Sequence, residues 1–334
     1  MLSISLVIVI ILAITFDFIN GFHDTANSIA TTVATRVLTP AMAILMAASF
    51  NFMGALVSEK VAKTISKGLI DGHLEQYVIM AALLAAIIWN LITWYIGIPS
   101  SSSHALIGGL IGASIVYASS FDKVLWDGVF HKIIIPLFSS PLIGFIFGFA
   151  LMWLLYRLLS PFSNTLVNGW FSKVQILSAI FVSFAHGKND AQKSMGIITL
   201  ALVSAGLLTN DDPIPLWVKI ACATAMAIGT SVGGWKIIKT MGTSITKLEP
   251  IGGFAAQTAA AVVIEAASEF GMPISTTQVI STSIMGVGAS KRFSAVKWII
   301  AKNIVWAWVI TIPVTAAFGA IITLILKFFI NLNF

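Results

Sequence analysis

The chain has 334 residues, of which 58% are hydrophobic and only 10% are charged, and its mean hydropathy is +0.97. A soluble globular domain carries about 25% charged residues, so this composition excludes that class. The formal net charge is +6, but the basic residues stand in loops beside apolar segments. They are expected to orient the chain in a membrane, and no nucleic-acid partner is predicted. One cysteine, Cys222, excludes an intramolecular disulfide.

Apolar segments of near-membrane length predict an all-α, polytopic membrane protein. Several windows approach the ~20 apolar residues that a helix needs to cross a bilayer core. They predict about 10–12 helical segments, including spans near 41–57, 77–98, 103–119 and 133–157. The segments do not show the short alternation of barrel strands. We therefore expect a multi-pass protein of the cytoplasmic (inner) membrane, with the lipid bilayer as a partner.

Two polar motifs each occur twice, in the same order. The first copy reads NGFHDTANS over residues 20–28 and PSSSSH over 99–104. The second reads HGKNDAQKS over 186–194 and PISTTQ over 273–278. Asp190 follows Asp24 by 166 residues, and Pro273 follows Pro99 by 174. This is an internal duplication, and paired interrupted segments in the two halves of a membrane protein indicate a transport site.

Turn-forming residues near the middle of the chain separate the two copies. Pro161, Asn168 and Gly169 interrupt the hydrophobic runs, so we predict a first repeat over 1–160, a linker over 161–173 and a second repeat over 174–334. Four spans are predicted between the two Asp-containing motifs, which puts equivalent helices five crossings apart. Because five is odd, the repeats are expected to be inverted, with their motifs meeting near the bilayer midplane.

The first Asp-containing motif places polar side chains on one helix face. The stripe has helical spacing and consists of Asn20, Asp24, Asn27 and Thr31. A carboxylate inside a membrane is costly unless it is paired or solvated, so a functional role is the default expectation. The alternative is that Asp24 caps a helix that is broken at Gly21.

The second copy of this motif differs from the first at informative positions. Alignment of the two copies places Asn189 opposite His23 and Lys193 opposite Asn27. Lys193 is expected to occupy the place of a mobile cation, or to pair with Asp190 on the same helix face. The alternative is a lysine side chain that extends to the membrane surface.

The two Pro-containing motifs predict a helix break followed by a new helix start, because proline cannot continue a helix. Hydroxyl groups in the first turn of a new helix, its free backbone N–H groups and the positive end of its dipole together form an anion site. The predicted anion ligands are Ser101, Ser102, Ser103, Ser275, Thr276 and Thr277. Ordinary N-capping by these residues is the alternative.

Three function classes fit these motifs. The sequence has no phosphate-binding Gly-Lys-Ser/Thr loop, so transport driven by nucleotide hydrolysis within this chain is not expected. An anion channel would use similar broken helices, although a site between facing half-helices favours occlusion. A membrane-embedded enzyme could use the aspartates and histidines as acid and base, but transport is preferred and no enzymatic activity is predicted.

The four motifs together resemble the duplicated signature of the inorganic phosphate transporter (PiT) family, and the resemblance covers the whole chain. It implies a homodimeric symporter that moves inorganic phosphate with a cation, needs no cofactor, and holds phosphate at the Ser/Thr hairpins. Cation coupling is then expected at Asn20, His23, Asp24, Asn27, Asn189, Asp190 and Lys193. A bound Na⁺ would lie at Asp24, Asn27 and Asp190.

Several positions depart from the family pattern. They are His23, Lys193 and Gln278 in the motifs, and Asn51 and Gln257 in place of membrane glutamates. Fewer anionic groups and an added lysine make two coupled sodium ions unexpected. These departures favour coupling to H⁺, or transport of a divalent metal–phosphate complex, over coupling to Na⁺. Sulfate is the alternative substrate, because a helix-N-terminus site fits either tetrahedral dianion.

Overall fold

The computed structural model describes residues 3–67, 74–122, 124–209 and 211–332. These ranges fold into helices and connecting turns. The α-helices are α1 (Ile4–His23), α2 (Thr25–Ala34), α3 (Pro40–Ala55), α4 (Lys60–Lys67), α5 (Gln76–Ile96), α6 (Ser102–Ala118), α7 (Trp126–Val129), α8 (Ile135–Leu159), α9 (Asn164–Ser204), α10 (Leu216–Val232), α11 (Trp235–Lys239), α12 (Pro250–Glu269), α13 (Thr276–Lys291) and α14 (Trp298–Leu332). π-Helical turns at Phe130–Ile134 and Thr240–Ser244 and a 3₁₀ turn at Phe293–Ala295 complete them.

The prediction of an all-α, polytopic protein is confirmed. α1 continues into α2 and α7 into α8, so the described ranges contain twelve helices, which agrees with the predicted number. Six of them are long and apolar enough to cross a membrane. Two further pairs are bent at short breaks, α3 with α4 by 64° and α10 with α11 by 67°.

The connection between the two halves is shorter than the predicted linker. Only residues 160–163 form a turn, and Ser163 caps α9 by accepting the N–H of Leu166 (3.4 Å). Residues 164–173 already belong to α9, which is 41 residues long. Asn168 and Gly169 lie inside regular helix here, because the low helix propensity of two residues is small against a long helix that packs along its length.

The two halves repeat one order of elements and one pattern of packing. α3 packs on α9 as α10 packs on α1, and α12 packs on α9 as α5 packs on α1. α8 packs on α13 as α14 packs on α6. In each comparison, a helix of the first half and its packing partner are replaced by the equivalent helices of the second half. The packing therefore follows the duplication seen in the sequence.

The equivalent helices α5 and α12 run in opposite directions. Gln76, at the start of α5, donates to the carbonyl of Ala201 near the C-terminus of α9 (2.9 Å). Glu249, just before α12, accepts from Asn168 near the N-terminus of α9 (3.3 Å). Because α9 is one continuous helix, the two starts lie at opposite ends of the molecule. The repeat is therefore inverted, as predicted.

Two helical hairpins, α5 with α6 and α12 with α13, enter from these opposite ends. Both turns contain a glycine with positive φ, Gly97 (+83°) and Gly271 (+66°), a conformation that residues with a side chain rarely adopt. The tips meet inside the protein, where Gln278 Nε2 lies 3.4 Å from His104 Nδ1. These two residues occupy the same position in the duplicated motif, so they contact each other across the pseudo-two-fold axis.

Apolar side chains cover the outside of α8 and α14, whereas the polar motifs are inside. Phe138 on α8 is 68% exposed and Trp306 on α14 is 57% exposed. Asp24, Asp190 and Lys193 are at most 2% exposed. An apolar surface around buried charges is the arrangement expected of a chain surrounded by lipid.

Candidate functional site

A break in the first span places Asp24 between two helix ends. α1 ends at His23, α2 begins at Thr25, and Asp24 has φ −98° and ψ 7°, outside the α-helical region. The Thr25 hydroxyl donates to the Gly21 carbonyl (2.7 Å), which satisfies this acceptor beside the break. The Asp24 carboxylate makes no capping hydrogen bond to α2 within the described residues, so the capping alternative does not explain it.

The His23 imidazole connects Asp24 to the first hairpin. Nδ1 lies 2.6 Å from Asp24 Oδ1, and Nε2 lies 3.0 Å from Thr93 Oγ1. The Ser100 hydroxyl donates to Thr93 Oγ1 (2.8 Å). All four residues are buried. The chain of hydrogen bonds runs from a carboxylate to a hairpin tip through an imidazole, the usual side chain for proton exchange near neutral pH.

In the second motif, a buried lysine neutralises Asp190. Lys193 Nζ donates to Asp190 Oδ1 (2.7 Å), and Asp190 Oδ2 accepts from the Thr276 hydroxyl (3.2 Å). The same ammonium donates to the Ile274 carbonyl (3.2 Å) and to the Ser103 hydroxyl. Lys193 is only 1% exposed. The predicted pairing with Asp190 is confirmed, and the alternative of a side chain extended to the membrane surface is wrong.

Unlike the first motif, the second lies in unbroken helix. α9 runs from Asn164 to Ser204 through Asp190. Each carboxylate meets a nitrogen from a nearby residue of its own motif, the His23 imidazole at Asp24 and the Lys193 ammonium at Asp190.

Ser101 and Ser275 are the N-caps of α6 and α13. Ser101 Oγ accepts from the His104 N–H (3.2 Å), and Ser275 Oγ accepts from the Gln278 N–H (3.3 Å). The capping interpretation therefore holds for these two hydroxyls. They also fix the direction in which both helix N-termini face the centre of the protein.

The remaining hydroxyls of the hairpin tips form a polar layer with Asn27. Asn27 Nδ2 donates to Thr276 Oγ1 (3.1 Å) and to Thr277 Oγ1 (3.0 Å). The Ser103 hydroxyl donates to a carbonyl of the other hairpin (3.1 Å). Ser102 Oγ is buried and has no hydrogen-bond partner among the described residues. Two helix N-termini and several hydroxyls thus lie side by side, an arrangement that attracts a small anion.

Asp24, Asp190 and His186 converge beside this layer. One oxygen of each carboxylate and one imidazole nitrogen lie within 4.8 Å of one another. His186 Nδ1 is 3.1 Å from Asn51 Oδ1, while Asn51 Nδ2 donates to Thr230 Oγ1 (3.1 Å). Because Asn51 Nδ2 is used by Thr230, Asn51 Oδ1 accepts from the N–H at Nδ1 of a neutral His186. Nε2 then carries the lone pair, and it faces the same space as the carboxylate oxygens of Asp24 and Asp190. Two oxygens and one nitrogen are available to a cation.

The two other predicted asparagines differ in their surroundings. Asn20 is fully buried, and its amide has no hydrogen-bond partner among the described residues. Asn189 donates to Ser268 Oγ (2.9 Å) and to the Met272 carbonyl (3.1 Å). Asn189 therefore ties the second hairpin to α9, a structural contact that its prediction as a cation-coupling residue did not include.

The phosphate transporter family, PHO4, matches the chain over residues 20–319. The chain belongs to this family. Its relatives include probable low-affinity inorganic phosphate transporters of Bacillus subtilis, 51% identical over 329 residues with 98% of each chain covered, and of Rhizobium meliloti, 48% identical over 322 residues with 95% of each chain covered. The fold is similar to that of a solved protein named the sodium-dependent phosphate transporter (TM-score 0.85, 25% identity), with 98% of this chain and 100% of the other covered.

Membership in the phosphate transporter family confirms the resemblance seen in the motifs. The relatives carry the names of transporters, so the prediction of a transport protein holds against that of a membrane-embedded enzyme. The six apolar spans agree with a multi-pass membrane transporter.

Sequence reasoning did not identify three polar residues of this site. His186 joins the two aspartates, and Thr93 and Ser100 extend the His23 chain. The signal for His186 was present, because it stands opposite Asn20 when the two copies are aligned. Thr93 lies in an apolar segment outside the motifs, and only its contact in the fold marks it.

An ion network joins the second motif of this family member to the end of α12. Lys188 Nζ binds Glu265 Oε1 and lies 2.5 Å from Glu269 Oε1. Lys60, at the start of α4, lies 2.6 Å from Glu269 Oε2. The Lys188 side chain is 4% exposed, whereas those of Glu265 and Glu269 are 29% and 49% exposed. The network fastens the second hairpin to α9 and α4.

Lys188→Gln should lower the stability of the folded protein by about 1–3 kcal/mol, less than for a fully buried pair, because the two carboxylates that lose their cation are partly exposed. The pair of Lys60 with Glu269 is exposed, so Lys60→Gln should lower the stability by less than about 1 kcal/mol. Thermal unfolding of both purified variants in one detergent measures the difference. Equal, small changes in Tm for the two variants would contradict a role for the buried lysine.

Proposed function

We propose that this protein is a secondary active transporter that carries inorganic phosphate across the cytoplasmic membrane together with a cation, with H⁺ preferred over Na⁺. The observation that carries the proposal is the pair of inverted hairpins whose Ser/Thr-rich helix N-termini face each other beside two buried aspartates. The family and the names of the relatives point to the same substrate. The family resemblance also favours a homodimer, which remains a prediction.

The phosphate would be held by hydroxyl and backbone N–H groups. The three arginines of the chain, Arg36, Arg157 and Arg292, lie outside both hairpin motifs. Two helix dipoles and the hydroxyls of Ser102, Ser103, Thr276 and Thr277 would compensate the dianion instead. The six predicted ligands are at most 2% exposed, so phosphate can reach them only if the hairpins move. This requirement fits alternating access and disfavours an open channel.

A proton is the preferred coupling ion because a histidine stands beside Asp24. The proton would move between His23 Nδ1 and Asp24 Oδ1, which are 2.6 Å apart, along the chain that leads to Ser100. Na⁺ is the alternative, and Asp24, Asn27 and Asp190 would then supply oxygens. The name of the solved relative supports this alternative. A divalent metal that travels with phosphate would find a suitable nitrogen ligand in His186.

One end of the molecule is basic, which favours one orientation. Contacts between Thr35 and Gln175 (2.9 Å) and between Thr246 and Ala295 (3.0 Å) bring its loops together. The basic residues at this end, in the loops and in the adjoining ends of α9 and α13, are Arg36, Lys173, Lys247, Lys291, Arg292 and Lys297. At the other end, lysines alternate with acids, as in the pairs Lys63 with Glu59 and Lys67 with Asp211. Because cytoplasmic loops are enriched in lysine and arginine, we place the basic end in the cytoplasm.

Purified protein in liposomes should take up radiolabelled phosphate when an inward H⁺ gradient is imposed. An inward Na⁺ gradient alone should have little effect, and uptake should saturate with phosphate concentration. The measurement imposes the two gradients separately, with empty liposomes as the control. Uptake that follows the Na⁺ gradient and ignores the H⁺ gradient would reject proton coupling and retain phosphate symport.

Competition with unlabelled sulfate tests the alternative substrate in the same liposomes. Strong inhibition by sulfate, with weak uptake of phosphate, would assign the protein to another tetrahedral oxyanion. Uptake that requires Mg²⁺ and stops after chelation would assign a metal–phosphate complex as the substrate. A rate that does not saturate would favour the anion channel.

A further inference from the structure

The inverted repeat allows the two Asp-containing motifs to be compared atom by atom. Asp24 corresponds to Asp190, and Asn27 corresponds to Lys193. Asn27 and Lys193 each contact the hairpin of the other half: Asn27 Nδ2 donates to Thr277 Oγ1 (3.0 Å), and Lys193 Nζ donates to Ser103 Oγ. Thr277 and Ser103 are themselves equivalent in the duplicated Pro-containing motif. The two half-sites therefore share one plan and differ in charge.

The ammonium of Lys193 lies where a bound cation would lie. It contacts three kinds of oxygen, the Asp190 carboxylate (2.7 Å), the Ile274 carbonyl (3.2 Å) and the Ser103 hydroxyl. Ile274 belongs to the unwound segment between α12 and α13. Carboxylates and carbonyls of unwound segments are the ligands that hold Na⁺ in transporters built from broken helices. The side chain that delivers this charge is 1% exposed, so no water shell replaces these contacts.

The first half-site has the corresponding carboxylate and, three residues along, an amide oxygen, without a fixed positive charge. Among the described residues, Asp24 pairs with the imidazole of His23 and converges with His186, and Asn27 Oδ1 is buried without a hydrogen-bond partner. An amide oxygen beside a carboxylate is available to a mobile cation. The same two positions in the second half-site offer no such oxygen, because residue 193 is a lysine.

We propose that the Lys193 ammonium is a built-in cation that permanently occupies the half-site of Asp190, so that only the half-site of Asp24 exchanges a mobile cation. This inference rests on the proposed transport function, and it adds the number of coupling sites. The transporter then moves one cation fewer in each cycle than a duplicated pair of sites would allow. Asn at position 193 would give the second half-site the carboxylate and amide oxygen of the first. Because Asn189 stands where the first half-site has the imidazole of His23, the vacated place would take Na⁺ and not H⁺.

Lys193→Asn should therefore gain a Na⁺ site that the unmodified protein does not have. We expect bound ²²Na⁺ to rise by about one ion per chain in purified protein. In addition, about 100 mM NaCl, compared with choline chloride of equal ionic strength, should raise the Tm of the variant by roughly 3–5 °C more than that of the unmodified protein. Lys236→Asn is the control, because the contacts of its ammonium among the described residues are the Tyr95 carbonyl and ring, so its removal leaves no carboxylate there without a cation and should add no Na⁺ binding.

The Tm measurement still tests the proposal if Lys193→Asn folds poorly. If Asp190 is left without a cation, Lys193→Asn should be unstable in choline chloride and recover in NaCl. Equal instability in both salts, or a stable variant without extra ²²Na⁺, would overturn the proposal. Uptake of phosphate by the unmodified protein is measured separately, so a failure of the transport function is distinguished from a failure of this inference.

Discussion

Asp190→Asn should reduce phosphate uptake by about a hundredfold or more. The substitution removes the negative charge that faces the ammonium of Lys193, 2.7 Å away and 1% exposed. Leaving a buried charge without its partner costs about 3–5 kcal/mol. The ammonium would then withdraw from Ser103 and from the Ile274 carbonyl. Both hairpin tips would lose the group that holds them in register.

Asp24→Asn should abolish uptake for a related reason. Its carboxylate faces His23 at 2.6 Å and converges with Asp190 and His186. An amide cannot accept a proton from the imidazole, so this half-site loses its exchangeable charge. Because no ammonium is left without a partner here, Asp24→Asn should retain more of the original Tm than Asp190→Asn does.

Both variants are measured by phosphate uptake in liposomes and by the amount of monodisperse protein in the membrane. Asp127→Asn is the control, because this side chain is 95% exposed and should leave uptake unchanged. Normal uptake in Asp24→Asn or in Asp190→Asn would remove that carboxylate from the mechanism. Loss of the protein from the membrane would instead indicate a role in folding.

The elements that depend on local sequence could be predicted. The predicted spans near 41–57, 77–98 and 133–157 correspond to α3, α5 and α8, because apolar length and helix-breaking proline act within one segment. The predicted span near 103–119 is the helix α6, which is shorter than a membrane span and forms one arm of the first hairpin. Helical spacing predicted the pairing of Lys193 with Asp190 as one of the alternatives, and the structure selects it. The duplication also predicted that the two hairpin tips face each other, and the contact of His104 with Gln278 confirms this.

Features that depend on distant partners could not be predicted. The sequence alone does not distinguish the break at Asp24 from the unbroken helix at Asp190, because the two aligned motifs carry the same Asp at the same position. The contacts of Lys188 with Glu265 and Glu269 join residues more than 70 positions apart. The partner of Asn189 is likewise set by how α12 crosses α9. Packing between distant segments decides these contacts, whereas hydropathy and helical spacing report only on residues that are near in sequence.

Gly187→Ala should lower the thermal stability of the protein more than a substitution at an exposed position does. A Cβ at Gly187 would lie 2.1 Å from the carbonyl oxygen of Asn51, and one at Gly54 would lie 2.1 Å from that of Phe184. Backbone atoms cannot rotate away, so α3 and α9 must separate. Overpacking of this kind costs about 3 kcal/mol. Because Asn51 also holds His186, the separation should disturb the cation cluster and lower uptake.

The inverted repeat predicts the same sensitivity at the crossing of α1 with α10. There a Cβ at Gly21 would lie 2.4 Å from the Met226 carbonyl oxygen, and one at Gly229 would lie 2.1 Å from that of Phe18. Gly21 and Gly187 occupy the same position in the two copies. Gly21→Ala should therefore lower the Tm about as much as Gly187→Ala does.

Gly169→Ala separates this packing effect from the effect of alanine on a helix. Gly169 lies in the same helix α9, and a Cβ there meets no atom within 4 Å. Alanine favours a helix interior over glycine by about 1 kcal/mol, so this variant should be as stable as the original or slightly more stable. Thermal unfolding of Gly187→Ala, Gly21→Ala and Gly169→Ala measures the two effects. If Gly187→Ala were as stable as Gly169→Ala, the close crossing of α3 and α9 would not be what holds the cation cluster in place.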